Sequence, residues 1–160
     1  MMAYSHIMIG ITSYIATGSP VGIAPLVAVA VGSLLPDADH EHATINKLIP
    51  PLKLVAKLTK HRGITHSLPA VLVVCGVAWF SREPVAIALA WGYTMHILAD
   101  MLTVSGVKFF TPVSGINVRL FWLKTNGYAE HLITAFCGLY LVWAIVVMAG
   151  YQSVVVNIAR

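Results

Sequence analysis

Three apolar stretches, at 64–80, 85–104 and 132–151, approach or reach the ~20 residues that an α-helix needs to cross a bilayer. Two shorter ones lie at 7–17 and 21–35, separated by Gly18-Ser19-Pro20. This pattern constrains the fold more than any other feature, because 160 residues offer too little interior to hide so much apolar chain. The sequence is 58% hydrophobic and only 10% charged, against roughly 25% charged in a soluble globular domain. Lipid is the remaining cover. The expected fold is therefore all-α: one membrane-embedded domain over 1–160, an integral bundle of four to five helices.

Gly18-Ser19-Pro20 is a strong break signal and leaves two readings of 7–35. One is a single interrupted span. The other, favoured, is a helical hairpin that returns the chain to the side it left and brings His6 back beside Asp37. The longer polar connections, 36–63 and 105–131, fall on one face and carry Lys47, Lys53, Lys57, Lys60, Arg62, Lys108, Arg119 and Lys124; the other face has Arg82 and Arg160. The positive-inside rule puts the richer face in the cytoplasm of an inner (plasma) membrane protein. The net charge of +4 is thus read as orienting the chain in the membrane, and no nucleic-acid partner is expected. Segment 48–60 alternates Leu52, Val55, Ala56 and Leu58 with lysines, as a short amphipathic helix at the interface does. A cleavable signal peptide is not expected: there is no basic n-region, and His6 precedes the first apolar stretch. Cys75 and Cys137 each lie within an apolar run and read as small buried hydrophobes.

The polar residues that interrupt this map gather at the same face. Pro36-Asp37-Ala38-Asp39-His40 follows the second stretch. His61-Arg62-Gly63-Ile64-Thr65-His66-Ser67 leads into the third. His96 and Asp100 close the fourth, and Glu130-His131 opens the fifth. His96 and Asp100, four apart, share one side of a helix, a workable two-ligand spacing. An ionisable group in a span is costly and usually faces a functional interior, so Asp100 calls for a cation or strong donor beside it; a structural pair with Lys or Arg is the alternative. Imidazoles with carboxylates suit zinc. Asp37 and Asp39 are each open to two roles, ligating a metal directly or holding a ligating histidine in place. Arg62, a permanent bidentate cation, is a candidate for binding phosphate or carboxylate. Thr65 and Ser67 read as helix caps, Glu41 and His42 as solvated loop, His131 as interfacial, and the four tryptophans as interfacial anchors or lipid-packing residues. His6 joins the cluster only if the hairpin forms, and Glu130 alone is explained by the helix dipole.

Pro-Asp-x-Asp-His, His-Arg-Gly-x-Thr-His-Ser and Gly-Tyr-x-x-His-x-x-x-Asp-x-x-Thr, here at 36–40, 61–67 and 92–103, resemble the LexA-regulated, membrane-bound, predicted metal-dependent hydrolases. The resemblance covers roughly residues 3–131, placing that family's N-terminal His at His6 and its late Glu at Glu130. It is shared more distantly with zinc-dependent phospholipase C, and it implies a phosphoester-hydrolysing centre with two or more Zn2+. The ligand set so implied is His6, Asp37, His61, His66, His96, Asp100 and Glu130, with His40 and Asp39 binding directly or supporting. A metal-activated water would be the nucleophile, and Arg62 would stabilise developing negative charge.

The expected function is therefore a membrane-bound metal-dependent hydrolase at the cytoplasmic face, acting on a lipid or lipid-linked phosphoester, with membrane lipid as its partner and oligomerisation left open. Two rivals make other demands. A structural metal site would be closed by four ligands. A metal transporter would line a path through the bilayer with ligands rather than gather them at one end.

Overall fold

A computed structural model describes residues 1–39, 43–48 and 63–158. Among them are six α-helices: α1 Ala3–Ala16, α2 Ile23–Gly32, α3 Thr44–Leu48, α4 Leu68–Ser81, α5 Pro84–Met101 and α6 Tyr128–Ile158. A 3-10 turn, Leu35–Asp39, follows α2. The described residues form no strand beyond two isolated bridges, Thr103 with Leu123 and Val107 with Val118.

The chain folds back between α1 and α2. Gly18 takes a left-handed φ of 72°, a conformation that costs glycine little. The Thr17 hydroxyl donates to the Tyr14 carbonyl at 2.6 Å, closing the end of α1. The result is the hairpin, not one interrupted span. Each arm is short: at 1.5 Å per residue, the 14 residues of α1 and 10 of α2 reach only ~21 and ~15 Å into a ~30 Å hydrocarbon core.

Helix α2 lies directly on α5. A Cβ at Gly32 would strike the Leu89 carbonyl, and one at Gly92 would strike the Val29 carbonyl and the Ser33 amide. Side-chain-free positions of this kind let helices pack at backbone distance in a membrane, where burial from water does not drive their association. Around the contact sit Tyr14, Ala28, Val29 and Ala88, all buried, with Ile11, Leu26 and Trp91 packed against them. The Trp91 indole N–H donates to the Ser13 hydroxyl of α1 at 3.0 Å.

Helix α4 starts at Leu68 and not at Ile64, with Pro69 in its first turn, where a missing N–H costs nothing. Residues 64–67 are a turn that carries His66. Arg82 takes the left-handed conformation that ends α4, and Pro84 opens α5. Among the described residues α6 alone is long and apolar enough to cross a membrane, over Tyr128–Gly150, and 6% of its most apolar stretch is buried. Leu132, Phe136, Leu139, Val142, Trp143 and Val146 project from it, as side chains facing lipid do. Of the expected bundle of four to five helices, one described helix is thus a clear span and the others are shorter. Helix α4 is shorter than its apolar stretch because its N-terminal turn is given to the site. The amphipathic segment 48–60 lies outside the described residues.

Candidate metal centre

Five of the residues marked in the sequence meet at the open end of the hairpin. His6 comes from the first turns of α1, Asp37 from the 3-10 turn, His66 from the turn before α4, and His96 and Asp100 from the last turns of α5. His66 Nε2 and His96 Nε2 are 3.3 Å apart. Asp37 Oδ1 lies 3.5 Å from His66 Nε2 and 3.7 Å from His96 Nε2. Asp100 Oδ2 lies 3.4 Å from His96 Nε2 and 3.8 Å from His66 Nε2, while its Oδ1 is 3.3 Å from His6 Nε2. Two nitrogens of one tetrahedral zinc, each ~2.0–2.1 Å from the ion, stand ~3.3 Å apart.

The supports of these rings decide which nitrogen faces inward. His96 Nδ1 is 2.7 Å from the Ser33 carbonyl and so carries the proton, leaving Nε2 as a lone pair. This contact exists because α2 and α5 meet at Gly32 and Gly92. The Thr65 hydroxyl donates to Asp39 Oδ2 at 2.9 Å and is 3.1 Å from His66 Nδ1. Its hydrogen is committed to Asp39, so its oxygen accepts from His66 Nδ1–H, and His66 Nε2 also faces inward bare. The Tyr93 hydroxyl donates to the Thr65 carbonyl and holds the turn. Two bare nitrogens at 3.3 Å need a cation between them, a proton on one ring or a metal. His6 stacks on His96 with centroids 3.7 Å apart. It is 1% exposed, and neither of its ring nitrogens has a hydrogen-bond partner, although Nε2 lies within ion-pair distance of Asp100. A buried, unsatisfied imidazole beside two carboxylates is a donor set that fits a borderline divalent cation.

Charge is balanced locally. Burial alone would lower the pKa of His66, but its hydrogen bond to Asp37 and the nearby carboxylates outweigh this and hold it above the usual histidine value. Burial would raise Asp37, yet the bond from His66 holds it below the usual carboxylate range. The Asp37 side chain is 36% exposed, so the cluster is open on that side. Asp100 also accepts from the Met1 ammonium at 2.6 Å; among the described residues no Lys or Arg pairs with it.

The remaining sequence-marked residues divide. Asp39 lies one step back, on Thr65. Glu130, fully buried, stands apart: its two oxygens accept from the backbone N–H groups of Met2 and Asn126, at 2.6 and 2.7 Å. It fixes the N-terminus against the start of α6. His40, His61 and Arg62, with Glu41 and His42, lie outside the described residues. Ser67 stands at the N-cap of α4, but its hydroxyl donates to the Ile64 carbonyl at 2.6 Å and makes no capping bond, and Thr65 serves Asp39. Cys75 is exposed and Cys137 half-buried, so neither is the buried hydrophobe expected. Sequence reasoning missed the orienting roles of Thr65, Tyr93 and the Ser33 carbonyl. Tyr93 had a signal, three residues before His96 on the same helical side. The Ser33 carbonyl had none, since a backbone acceptor leaves no mark on residue type.

Fold and cluster together define a helical membrane protein with an imidazole–carboxylate centre at one end of its helices. The sequence profile of the YdjM inner membrane protein family matches residues 1–158, and the chain belongs to that family. YvsG of Bacillus subtilis (strain 168), described as uncharacterized, is 34% identical over 142 residues, 84% of this chain and 88% of its own length. Inner membrane protein YdjM of Escherichia coli (strain K12) is 37% identical over 87 residues, 49% of this chain and 44% of that protein; its Shigella flexneri counterpart aligns equally. No solved structure matches the chain.

Proposed function

We propose that this protein is a metal-dependent hydrolase of the inner membrane whose centre faces the cytoplasm. One observation carries the reading: the His66 and His96 Nε2 lone pairs, turned inward by Thr65 and Ser33, face each other at 3.3 Å between Asp37 and Asp100. The residues that would hold the ion are His66, His96, Asp37 and Asp100, with His6 beside them. A bound divalent cation of the zinc type supplies Lewis acidity and lowers the pKa of a water.

The chain's own groups do the rest. Ser33 and Thr65 fix the ring tautomers, the familiar supporting arrangement of ligating histidines. Asp39 orients Thr65. Arg62, two residues before Ile64 in the His-Arg-Gly-x-Thr-His-Ser motif, is assigned on sequence grounds to stabilise negative charge in the transition state. The exposure of Asp37 leaves a side from which substrate can approach, as a catalytic site requires and a closed structural site does not. Ligands gathered at one end of the helices, instead of strung along them, speak against a transport path.

His96 is common to both candidate triads, His6–Asp37–His96 and His66–His96–Asp100. With Nδ1 committed to Ser33, it would hold one ion through Nε2; His40 and His61 are the sequence-marked residues that would help hold a second. A centre at the lipid–water boundary favours a phosphoester of a lipid or lipid-linked molecule as substrate.

Metal analysis of the purified protein tests this reading, together with turnover of phospholipid and model phosphodiester substrates. Stoichiometric metal that is lost with activity in His96→Ala is the expected result. Metal-free wild type, or unchanged activity in His96→Ala, overturns it.

A further inference from the structure

The connection 102–127, between α5 and α6, is tied down at its roots and apolar at its rim. The Leu120 and Leu123 amides donate to the Met101 and Leu102 carbonyls at 2.7 and 3.0 Å, and the Val107 and Val118 backbones exchange bonds of 3.0 and 2.8 Å. The Leu68 amide donates to the Phe109 carbonyl at 2.7 Å, locking the loop to the start of α4 beside His66. Thr103 and Val107 are buried beneath it. Outward it presents Val113, 92% exposed, with Ile116, Leu120, Phe121 and Trp122 at 67, 59, 61 and 76%. A water-facing loop does not normally offer such a patch.

The same rim carries Lys108, Arg119 and Lys124, all exposed. From Met101 to Ala129 there is no aspartate or glutamate. Among the described residues none of these cations pairs with a carboxylate. Exposed apolar and aromatic side chains interleaved with uncompensated cations match the headgroup layer of an anionic leaflet, where rings sit at the interface and ammonium or guanidinium groups meet phosphate. The loop also leads directly into Tyr128, where the spanning stretch begins.

We infer that the 102–127 loop is embedded in the anionic phospholipid headgroup layer on the side of the His/Asp centre, with Trp122 and Phe121 in the interface and Lys108, Arg119 and Lys124 on lipid phosphates. The inference rests on the loop alone, and it stands whether or not the centre holds a metal.

The test uses the full chain in vesicles of phosphatidylcholine alone or with phosphatidylglycerol. The emission of Trp122 is isolated as the difference between wild type and Trp122→Phe. It is quenched more by lipids brominated near the glycerol than by those brominated deep in the chain, and anionic vesicles shield it from iodide. The triple variant Lys108→Gln/Arg119→Gln/Lys124→Gln loses the extra shielding given by anionic lipid. Equal iodide quenching in both vesicle types with no bromine effect means that the loop stands in water, and overturns the inference. Unchanged shielding in the triple variant overturns its anionic part. Should Trp122→Phe misfold, a spin label at Asn117→Cys in a Cys75→Ala/Cys137→Ala background gives the same decision from oxygen against nickel-chelate accessibility.

Discussion

His66 is the residue on which a proton and the proposed metal would compete. Metal ligands must shed their protons, and the Asp37 bond holds the His66 proton above the ordinary value of ~6.5. Metal loading should therefore begin to weaken as pH falls while still near neutrality, earlier than for an unpaired histidine; equilibrium zinc titrations across pH read this. In the metal-free protein the signs reverse. The raised His66 adds stability that is complete below its unfolded value and is lost as pH rises through its folded one. The lowered Asp37 adds stability present above its unfolded value and lost as pH falls through its folded one. The contribution of the His66–Asp37 pair to metal-free thermal stability should thus be largest between the two, while buried His6, held below the ordinary histidine value, opposes it as pH falls, and bound metal should restore the alkaline side. Thr65 acts through His66. Thr65→Val removes both the donor to Asp39 and the acceptor for Nδ1–H, and should weaken metal binding ~10–100-fold, while Thr65→Ser keeps the hydroxyl and most of the affinity. Isothermal titration with the two variants separates loss of the hydroxyl from loss of packing. His66, His96, Asp37 and Asp100 were legible in the sequence, because titratable side chains at the edges of apolar stretches stand out, whereas His6 joined them only through the hairpin reading and the resemblance. Their tautomers were not, since these depend on a backbone carbonyl of α2 that only folding brings near.

Between elements, the meeting of α2 and α5 decides whether that carbonyl arrives. Gly92 stands against Val29 and Ser33, and Gly32 against Leu89. A side chain at Gly92 forces the helices apart, a strain of the overpacking kind that costs ~1–3 kcal/mol or more when the neighbour is backbone. It also draws the Ser33 carbonyl away from His96 Nδ1. Gly92→Leu should lower both melting temperature and metal affinity, whereas Leu89→Ala, which keeps the glycine contacts, should lower stability alone. Loss of stability with metal affinity intact in Gly92→Leu would uncouple the helix contact from the centre. The hairpin itself was readable from Gly18-Ser19-Pro20, a local signal. The start of α4 was not: 64–67 is apolar enough to pass for helix, but the turn is fixed by tertiary bonds from Ser67 to Ile64, Tyr93 to Thr65 and Thr65 to Asp39. Of the expected membrane helices, α6 alone among the described residues has the length and hydropathy of a clear span, since hydropathy measures how apolar a stretch is and not how many of its residues stay helical.

At the scale of the whole molecule, one clear span and a short hairpin make the two ends of the helices unequal. The centre, the 102–127 loop and the N-terminus of α6 share one end; the Thr17–Gly22 turn and Arg82 share the other. Helix α6 runs over 31 residues, ~46 Å at 1.5 Å per residue, against ~30 Å of hydrocarbon, so it has the length to cross even when tilted. The hairpin turn does not: at ~15–21 Å, its arms stop within the bilayer if the centre sits at the interface. A membrane-impermeant thiol reagent added to intact cells should therefore miss a cysteine placed at Asn117, and should reach it only after the membrane is opened. A cysteine at Ser19 should resist the reagent on both occasions, shielded by lipid, whereas one at Glu83 should label from outside if α4 and α5 together cross. With the native Cys75 and Cys137 replaced by alanine, the three positions form a complete reading of topology. Labelling of Asn117→Cys in intact cells would put the centre on the outer face and sink the cytoplasmic assignment. Labelling of Ser19→Cys from outside would turn the hairpin into a true crossing pair, its short arms then requiring a locally thinned bilayer.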